Sequence, residues 1–312
     1  MINHSYLYAP EPDGSKPMKL LHFCTHSTKL LLPFTDSSGY TDLYFYLKNQ
    51  QSSSILATNG NSFGQLTGYV IPNQLLDTDK TFILPPKTVQ KLSTKLNRKW
   101  TSTGEIIVEE IVKHDQMYRP AKSIICNAYS GIDQPAITAL KMNMPTEYKF
   151  WKVPPIDRVL EGINGKDWTG FSLKKSQLKE MYQLIRGATY LNKANTDYGW
   201  QDTFCIVLAD GHLSIRAGTT ALSQGTFGVY EIGRFEVNKH PELDYCTHAG
   251  VQVSTKNLLN IFKAMNLLQD KDEYDVSFKP DVIRPLIFQS QRCGLNRQAT
   301  FGIMPVKSWI DG

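Results

Sequence analysis

The sequence contains no Cys-x-x-Cys pair, and its five cysteines, Cys24, Cys126, Cys205, Cys246 and Cys293, are odd in number and widely scattered. That excludes a disulfide framework and a zinc ribbon, and a reducing cytosol fits best. No apolar run approaches the about 18 residues that a membrane span needs, so no membrane is expected as a partner. The opening MINHSYLYAPEPDG has no basic start followed by an apolar stretch, which reads against a signal peptide. P-loop, G-x-G-x-x-G, G-x-S-x-G and H-E-x-x-H motifs are all missing. The cluster His22, Cys24, His26 is a poor metal site, because helix positions two apart do not share a face and a fourth ligand is lacking. Glu109 and Glu110 sit side by side in a strand-like run and so point to opposite faces, which makes a poor acid–base pair. Asp270, Asp272, Glu273 and Asp275 read as a solvated acidic turn. No catalytic residue, metal or cofactor is indicated, and no segment is low-complexity.

What is present is ordinary globular material. A chain of 312 residues suggests two domains. Hydrophobic residues make up 41% and charged residues 20%, so a packed core is expected. The net charge of +5 permits a polyanionic partner without demanding one. The placement of the basic residues therefore carries more information than their number.

Three segments align without gaps: FILPPKTVQKL from Phe82, FSLKKSQLKEM from Phe171 and VQVSTKNLLNI from Val251. Apolar residues two apart open each segment (Phe82 and Leu84, Phe171 and Leu173, Val251 and Val253), the period of a strand with one buried face. Apolar residues three apart follow (Val89 and Leu92, Leu178 and Met181, Leu258 and Ile261), the spacing of a helix. Each unit thus switches from strand to helix at the same place. Lys87 and Lys256 also match.

Strand-like runs come after each helix. EIIVEEIVKH and SIICNAY follow the first; FCIVL and HLSIRA, joined by Asp210-Gly211, follow the second. Asp-Gly between two apolar alternating runs is a strong hairpin signal. YDVSFKP, IRPLIFQ and ATFGIMPV follow the third. A fourth, degenerate unit fits the first 80 residues, with YLYA as its strand, residues 18–31 as its helix and Asn59-Gly60 as a second hairpin turn. The expected architecture is α+β: two domains, 1–158 and 159–312, each built from paired β-α-β-β-β units. The break falls in residues 154–167, which hold Pro-Pro, two glycines and mixed charge.

The helices carry basic stripes. Lys87, Lys91, Lys95, Arg98 and Lys99 share one face, with no acidic residue between Lys87 and Lys99 to form intrahelical ion pairs. Val89, Leu92 and Leu96 lie on another face, free to pack on a sheet. The third helix sets Lys175, Lys179 and Arg186 against Leu178, Met181 and Ile185; the fourth sets Lys256 and Lys263 against Leu259 and Phe262. The first contributes Lys19 and Lys29, with His22 and His26 nearby. A charged stripe is ordinarily a solvated face. Recurrence of the same basic side in equivalent units, together with the lack of acids on the Phe82 helix, points instead to a phosphate backbone as counter-charge. The stripes lack interleaved aromatics, so contact with backbone rather than bases is expected.

The C-terminal half resembles the last domain of the bacterial DNA sliding clamps, the beta subunit of DNA polymerase III. The residues that carry this are CIVLADGHLSIRA, GVQVSTKNLLNIFKAM, YDVSFKPDVIRPLIF and ATFGIMPV, which ends in a Met-Pro pair like the family's. ILATNGNSFGQL and TFILPPKTVQKL resemble the middle domain more faintly. The resemblance implies a clamp fold with helices on the inner face of a ring and sheets outside. It implies double-stranded DNA, a replicative DNA polymerase and a clamp loader as partners, and no catalysis. It also implies a pocket for hydrophobic peptides, matched here by Thr58, Gly60, Leu66, Pro85, Val89, Met304, Pro305 and Val306.

Three departures stand beside it. Bacterial clamps have three domains per chain and dimerise, whereas this chain has room for two; a six-domain ring then favours a homotrimer over a dimer. Asn61-Ser62 stand where the family has His-Arg, and residues 307–312 extend past the Met-Pro pair. A short, divergent clamp of this kind suggests a viral or mobile-element origin, acting in the cytoplasm or in a viral replication compartment. Two rival readings are a clamp-fold interaction hub, in transcription or as a decoy that never encircles DNA, and an unrelated α+β enzyme. Reversal of charge on the Phe82 helix separates them: Lys91→Glu with Lys95→Glu is expected to weaken loading and processive synthesis and to leave folding intact. Unchanged synthesis in a primer-extension assay counts against the DNA-facing stripe.

Overall fold

The computed structural model describes residues 2–8, 29–35, 42–47, 53–70, 80–84, 86, 105–114, 120–129, 137–144, 160, 168–194, 203–217, 230–239, 248–268, 273–279, 284–290 and 298–310. The chain divides into two compact units. The first comprises residues 1–60, 65–154 and 293–299, and the second residues 61–64, 155–292 and 300–312.

The first unit begins with β1 (Ile2–Tyr8) and contains β2 (Leu43–Leu47), β3 (Ser53–Thr58) and most of β4 (Ser62–Val70). It continues with β5 (Lys80–Leu84), β6 (Glu105–His114), β7 (Pro120–Tyr129) and β8 (Ile137–Met144). One sheet runs β1-β6-β7-β8, and the other strands are ordered β5-β2-β3-β4. All registered pairs are antiparallel, for example Glu105↔Tyr129 and Leu43↔Leu84. The strand expected at EIIVEEIVKH is β6 in full. Residues 29–31 are helical and lead into a short 3₁₀ turn, Leu32–Phe34, with Pro33 at its start. The rest of the first expected helix, and the basic Phe82 helix beyond Pro86, lie outside the described residues.

The second unit displays two complete repeats. The first repeat is β9 (Thr169–Lys174), α1 (Lys175–Ala194), β10 (Thr203–Ala209), β11 (His212–Ala217) and β12 (Tyr230–Glu236). After the short β13 (Asn238–Lys239) comes the second: β14 (His248–Ser254), α2 (Thr255–Leu267), β15 (Glu273–Phe278), β16 (Leu286–Ser290) and β17 (Gln298–Ile303). The chain then forms β18 (Lys307–Ile310). The switch from strand to helix falls where the period changes, between Lys174 and Lys175 and between Ser254 and Thr255.

The repeats trade strands. One sheet is β12-β11-β10-β14-β18, so β14 of the second repeat joins three strands of the first; the other places β9 of the first beside β15, β16 and β17 of the second. Asp210 (φ 49°) and Gly211 (φ 77°) form the left-handed pair that a two-residue hairpin of matching twist requires. The Asn-Gly turn differs. Three residues, 59–61, separate β3 from β4, and only Gly60 has positive φ (86°), so glycine there supplies the one left-handed step. Glu273 and Asp275 belong to β15 rather than to a turn, and the Asp275 carboxylate accepts a 2.9 Å bond from the Ser172 hydroxyl. Strands β8, β12, β13 and β18 were not individually anticipated from the sequence.

The core of the second unit lies between helices and sheets. Leu178, Met181 and Ile185 of α1 and Leu258, Ile261, Phe262 and Met265 of α2 are buried. Phe262 meets Phe288 of β16 edge-on, with centroids 5.7 Å apart. Phe63, in the 61–64 piece, packs its ring over Gly302 so closely that a Cβ there would collide with the ring. Gly302→Ala is therefore expected to destabilise by about 1–3 kcal/mol through overpacking. Gly187, exposed within α1 and with nothing within 4 Å of a built Cβ, gives the opposite sign: Gly187→Ala is expected to stabilise by up to about 1 kcal/mol. Thermal denaturation of the two variants checks both directions, and a Gly302→Ala midpoint at or above that of the parent contradicts the packing argument.

Candidate nucleic-acid interface

Of the basic-stripe residues that the structure describes, all but Lys29 fall on two helices that pack against each other in the second unit. On α1 the buried residues Leu178, Met181, Ile185 and Ala188 recur at helical spacing and turn that face inward. Lys179 and Arg186 stand on the opposite, exposed face, with Glu180 as an acidic neighbour. On α2 the inward face is Leu258, Ile261, Phe262 and Met265, and Lys256 and Lys263 stand exposed two turns apart. Leu259, expected on the apolar face, is only half-buried, and Leu258 takes the core position instead. No acidic residue occurs in α2. Lys179, Arg186 and Lys263 make no hydrogen bond or ion pair with other described residues. Lys29 is exposed in the first unit. Lys19, Lys87, Lys91, Lys95, Arg98 and Lys99 lie outside the described residues.

Lys175 differs from its neighbours. It is half-buried, and its ammonium donates to the Leu268 carbonyl at the end of α2. That end has no basic residue of its own in the last turn. The Met265 carbonyl accepts both the Leu268 N–H (3.2 Å) and the hydroxyl of the fully buried Tyr274 (3.1 Å). The start of α1 is held in another way: the Gln177 side chain accepts the Lys174 N–H at 2.8 Å and donates to the Glu236 carbonyl at 2.7 Å, tying the first turn to the end of β12. The bonds from Lys175 to Leu268, from Tyr274 to Met265 and from Gln177 to Glu236 end on backbone carbonyls brought near by the fold, whereas the Lys174–Gln177 contact is local and follows from a glutamine three residues into the helix.

The positions matched to a peptide pocket are distributed over both units. In the first, Thr58 is buried at the end of β3 and its hydroxyl accepts the Gly60 N–H at 3.1 Å; Leu66 is fully buried in β4. Pro85 and Val89 lie outside the described residues. In the second, Met304 and Val306 are 37% and 48% exposed on either side of buried Pro305. Backbone bonds pin this step on both sides, from the Met304 N–H to the Asn61 carbonyl (2.8 Å) and from the Val306 N–H to the Gln252 carbonyl (2.7 Å). Asn61 was singled out as a departure from the family pattern, and its backbone, not its side chain, makes this contact. Among the described residues no three His, Cys, Asp or Glu side chains are grouped as metal ligands, and no helix is long and apolar enough to cross a membrane.

Structures resembling this chain are DNA sliding clamps. They include a DNA polymerase III beta chain from Streptococcus pneumoniae, with TM-score 0.60 and 13% identity over 94% of this chain and 65% of that one. A DNA polymerase sliding clamp from Pseudomonas aeruginosa has TM-score 0.55 and 11% identity over 90% of this chain and 64% of that one. The beta subunit of the Streptococcus pyogenes DNA polymerase has TM-score 0.58 and 12% identity over 96% and 67%. This chain thus spans about two thirds of the length of these clamps. No protein-family model and no curated protein sequence matches it. The α+β architecture of paired β-α-β-β-β units is the DNA clamp fold.

Because Lys179, Arg186 and Lys263 are exposed and hold no described partner, they contribute little to stability. Replacing each with Gln is expected to change the unfolding free energy by no more than about 0.5 kcal/mol. Denaturant titration checks this, and a larger loss means the side chain is structural.

Proposed function

We propose that this protein is a sliding clamp: a non-catalytic processivity factor that encircles duplex DNA and tethers a polymerase to it. The observation that carries the reading is the pair of helices in the second unit. They bury a shared apolar side and present Lys179, Arg186, Lys256 and Lys263 outward in a protein of clamp fold. Exposed cations on neighbouring helices suit a surface of phosphates, and such contact is independent of sequence and weakens with salt. In this reading residues 1–158 and 159–312 are the two clamp domains, and the helices face the interior of the ring. Lys19, Lys29, Lys87, Lys91, Lys95, Arg98 and Lys99 belong to the same proposed lining by their place on the basic stripes; Lys175 shares the α1 stripe by spacing and is set apart by its bond to the Leu268 carbonyl. The exposed apolar pair Met304 and Val306 supports a hydrophobic peptide as a second ligand, and Thr58, Gly60, Leu66, Pro85, Val89 and Pro305 join that proposal by resemblance alone. A replicative polymerase would supply the peptide, and a clamp loader would open the ring. Cytoplasmic or viral-compartment replication is the proposed setting.

Two clamp domains per chain and six per ring require three chains, related head to tail. The decisive experiment is the mass of the purified protein in solution, across dilution and at moderate salt. A species of three chain masses is expected. A persistent monomer removes the topological tether, whatever the fold, and leaves the interaction-hub reading in its place.

A further inference from the structure

Four observations single out Lys175 among the basic residues of the two helices. First, it opens α1, where the positive end of the helix dipole disfavours a cation, and it reaches the end of α2, where unsatisfied carbonyls favour one. Second, α2 has no basic residue of its own in the last turn and no glycine immediately after it; its own cap supplies the Leu268 N–H to the Met265 carbonyl, and outside donors add to it. Third, Tyr274 already serves the neighbouring Met265 carbonyl from β15, so two outside donors, from different elements, close one helix end. Fourth, in the aligned repeats the position of Lys175 is occupied by Pro86 and Thr255, both buried, whereas the exposed lysine Lys256 is matched by Ser176, one residue further on. A step of one residue turns a helix by about 100°. Lys175 thus stands at the margin of the exposed sector, at a place the fold otherwise turns inward.

We infer that Lys175 is a positioning residue: it clasps the start of α1 to the end of α2 and fixes the spacing of the Lys179–Arg186 row against the Lys256–Lys263 row, and it is not itself a phosphate contact. The clasp joins the start of one helix to the end of another that packs against it, so the bond limits how far one slides along the other. The inference rests on the reading of these helices as DNA-facing, and it departs from the expectation that Lys175 touches DNA.

The test uses the full chain with Lys175→Met, Lys175→Arg and Lys179→Met. It records the thermal midpoint, amide hydrogen exchange across the last turn of α2 and the salt dependence of binding to a short fluorescent duplex. Lys175→Met is expected to lower the midpoint by about 2–4 °C and to speed exchange at Met265 and Leu268. It is also expected to weaken duplex binding at fixed salt without changing the slope of log K against log salt. Lys175→Arg, whose guanidinium can serve the same carbonyl, restores all three. Lys179→Met leaves the midpoint and exchange alone and reduces the slope by about 0.9, the loss of one phosphate contact. A Lys175→Met chain that fails to fold while Lys175→Arg folds reads as a lowered midpoint. A slope reduced by Lys175→Met at unchanged midpoint and exchange overturns the inference, as does a variant indistinguishable from the parent. If the parent binds no duplex, the clamp reading fails, while midpoint and exchange still decide the clasp.

Discussion

Burial of the inward sides of α1 and α2 is the constraint on which the second unit depends. Leu178, Ile185, Leu258, Ile261 and Phe262 are removed from solvent almost entirely, each contributing about 1.5–3 kcal/mol of transfer free energy. Once those stripes are inward, helical geometry dictates the rest. Lys179, Arg186, Lys256 and Lys263 turn outward together because they are spaced to avoid the core. Packing of the apolar stripes therefore turns the basic residues of both helices outward.

The β-α-β-β-β order was legible because two periods, of two and of three to four, change at equivalent places in three segments. The change at Lys174–Lys175 and at Ser254–Thr255 is visible in both sequence and structure. Where periodicity was weak, legibility failed. β12, YEIGRFE, mixes charge with apolar residues. β13 is two residues long, and β18 is four residues that follow close on Pro305. The Asn-Gly turn was legible as a turn, but its length was not, because loop length depends on register with the partner strand.

For the interface, a residue's presence on a stripe was legible, and its partner was not. Spacing groups Lys175 with Lys179 and Arg186, and only the position of the Leu268 carbonyl distinguishes it. The repeat alignment already held a clue, since Lys175 falls opposite a proline and a threonine rather than opposite Lys87 and Lys256. The anchoring of Met304 and Val306 through the backbone of Asn61 and Gln252 leaves no trace in residue identity.

The exchange of strands between the two repeats has a consequence for how this half of the protein comes into being. Neither repeat can complete a sheet alone. β10 lacks β14 on one side, and β9 lacks β15 until residues about a hundred positions later arrive, as the Ser172–Asp275 bond across 103 positions illustrates. Contacts of such long sequence separation must wait for loop closure before they reward the chain, so this topology belongs with the slower folders. A growing chain that ends before β14 carries bare strand edges and a half-covered α1, a state prone to pairing with the wrong neighbour. The half-length repeat so evident in the sequence is thus a unit of pattern, and the unit of folding is the interlocked pair.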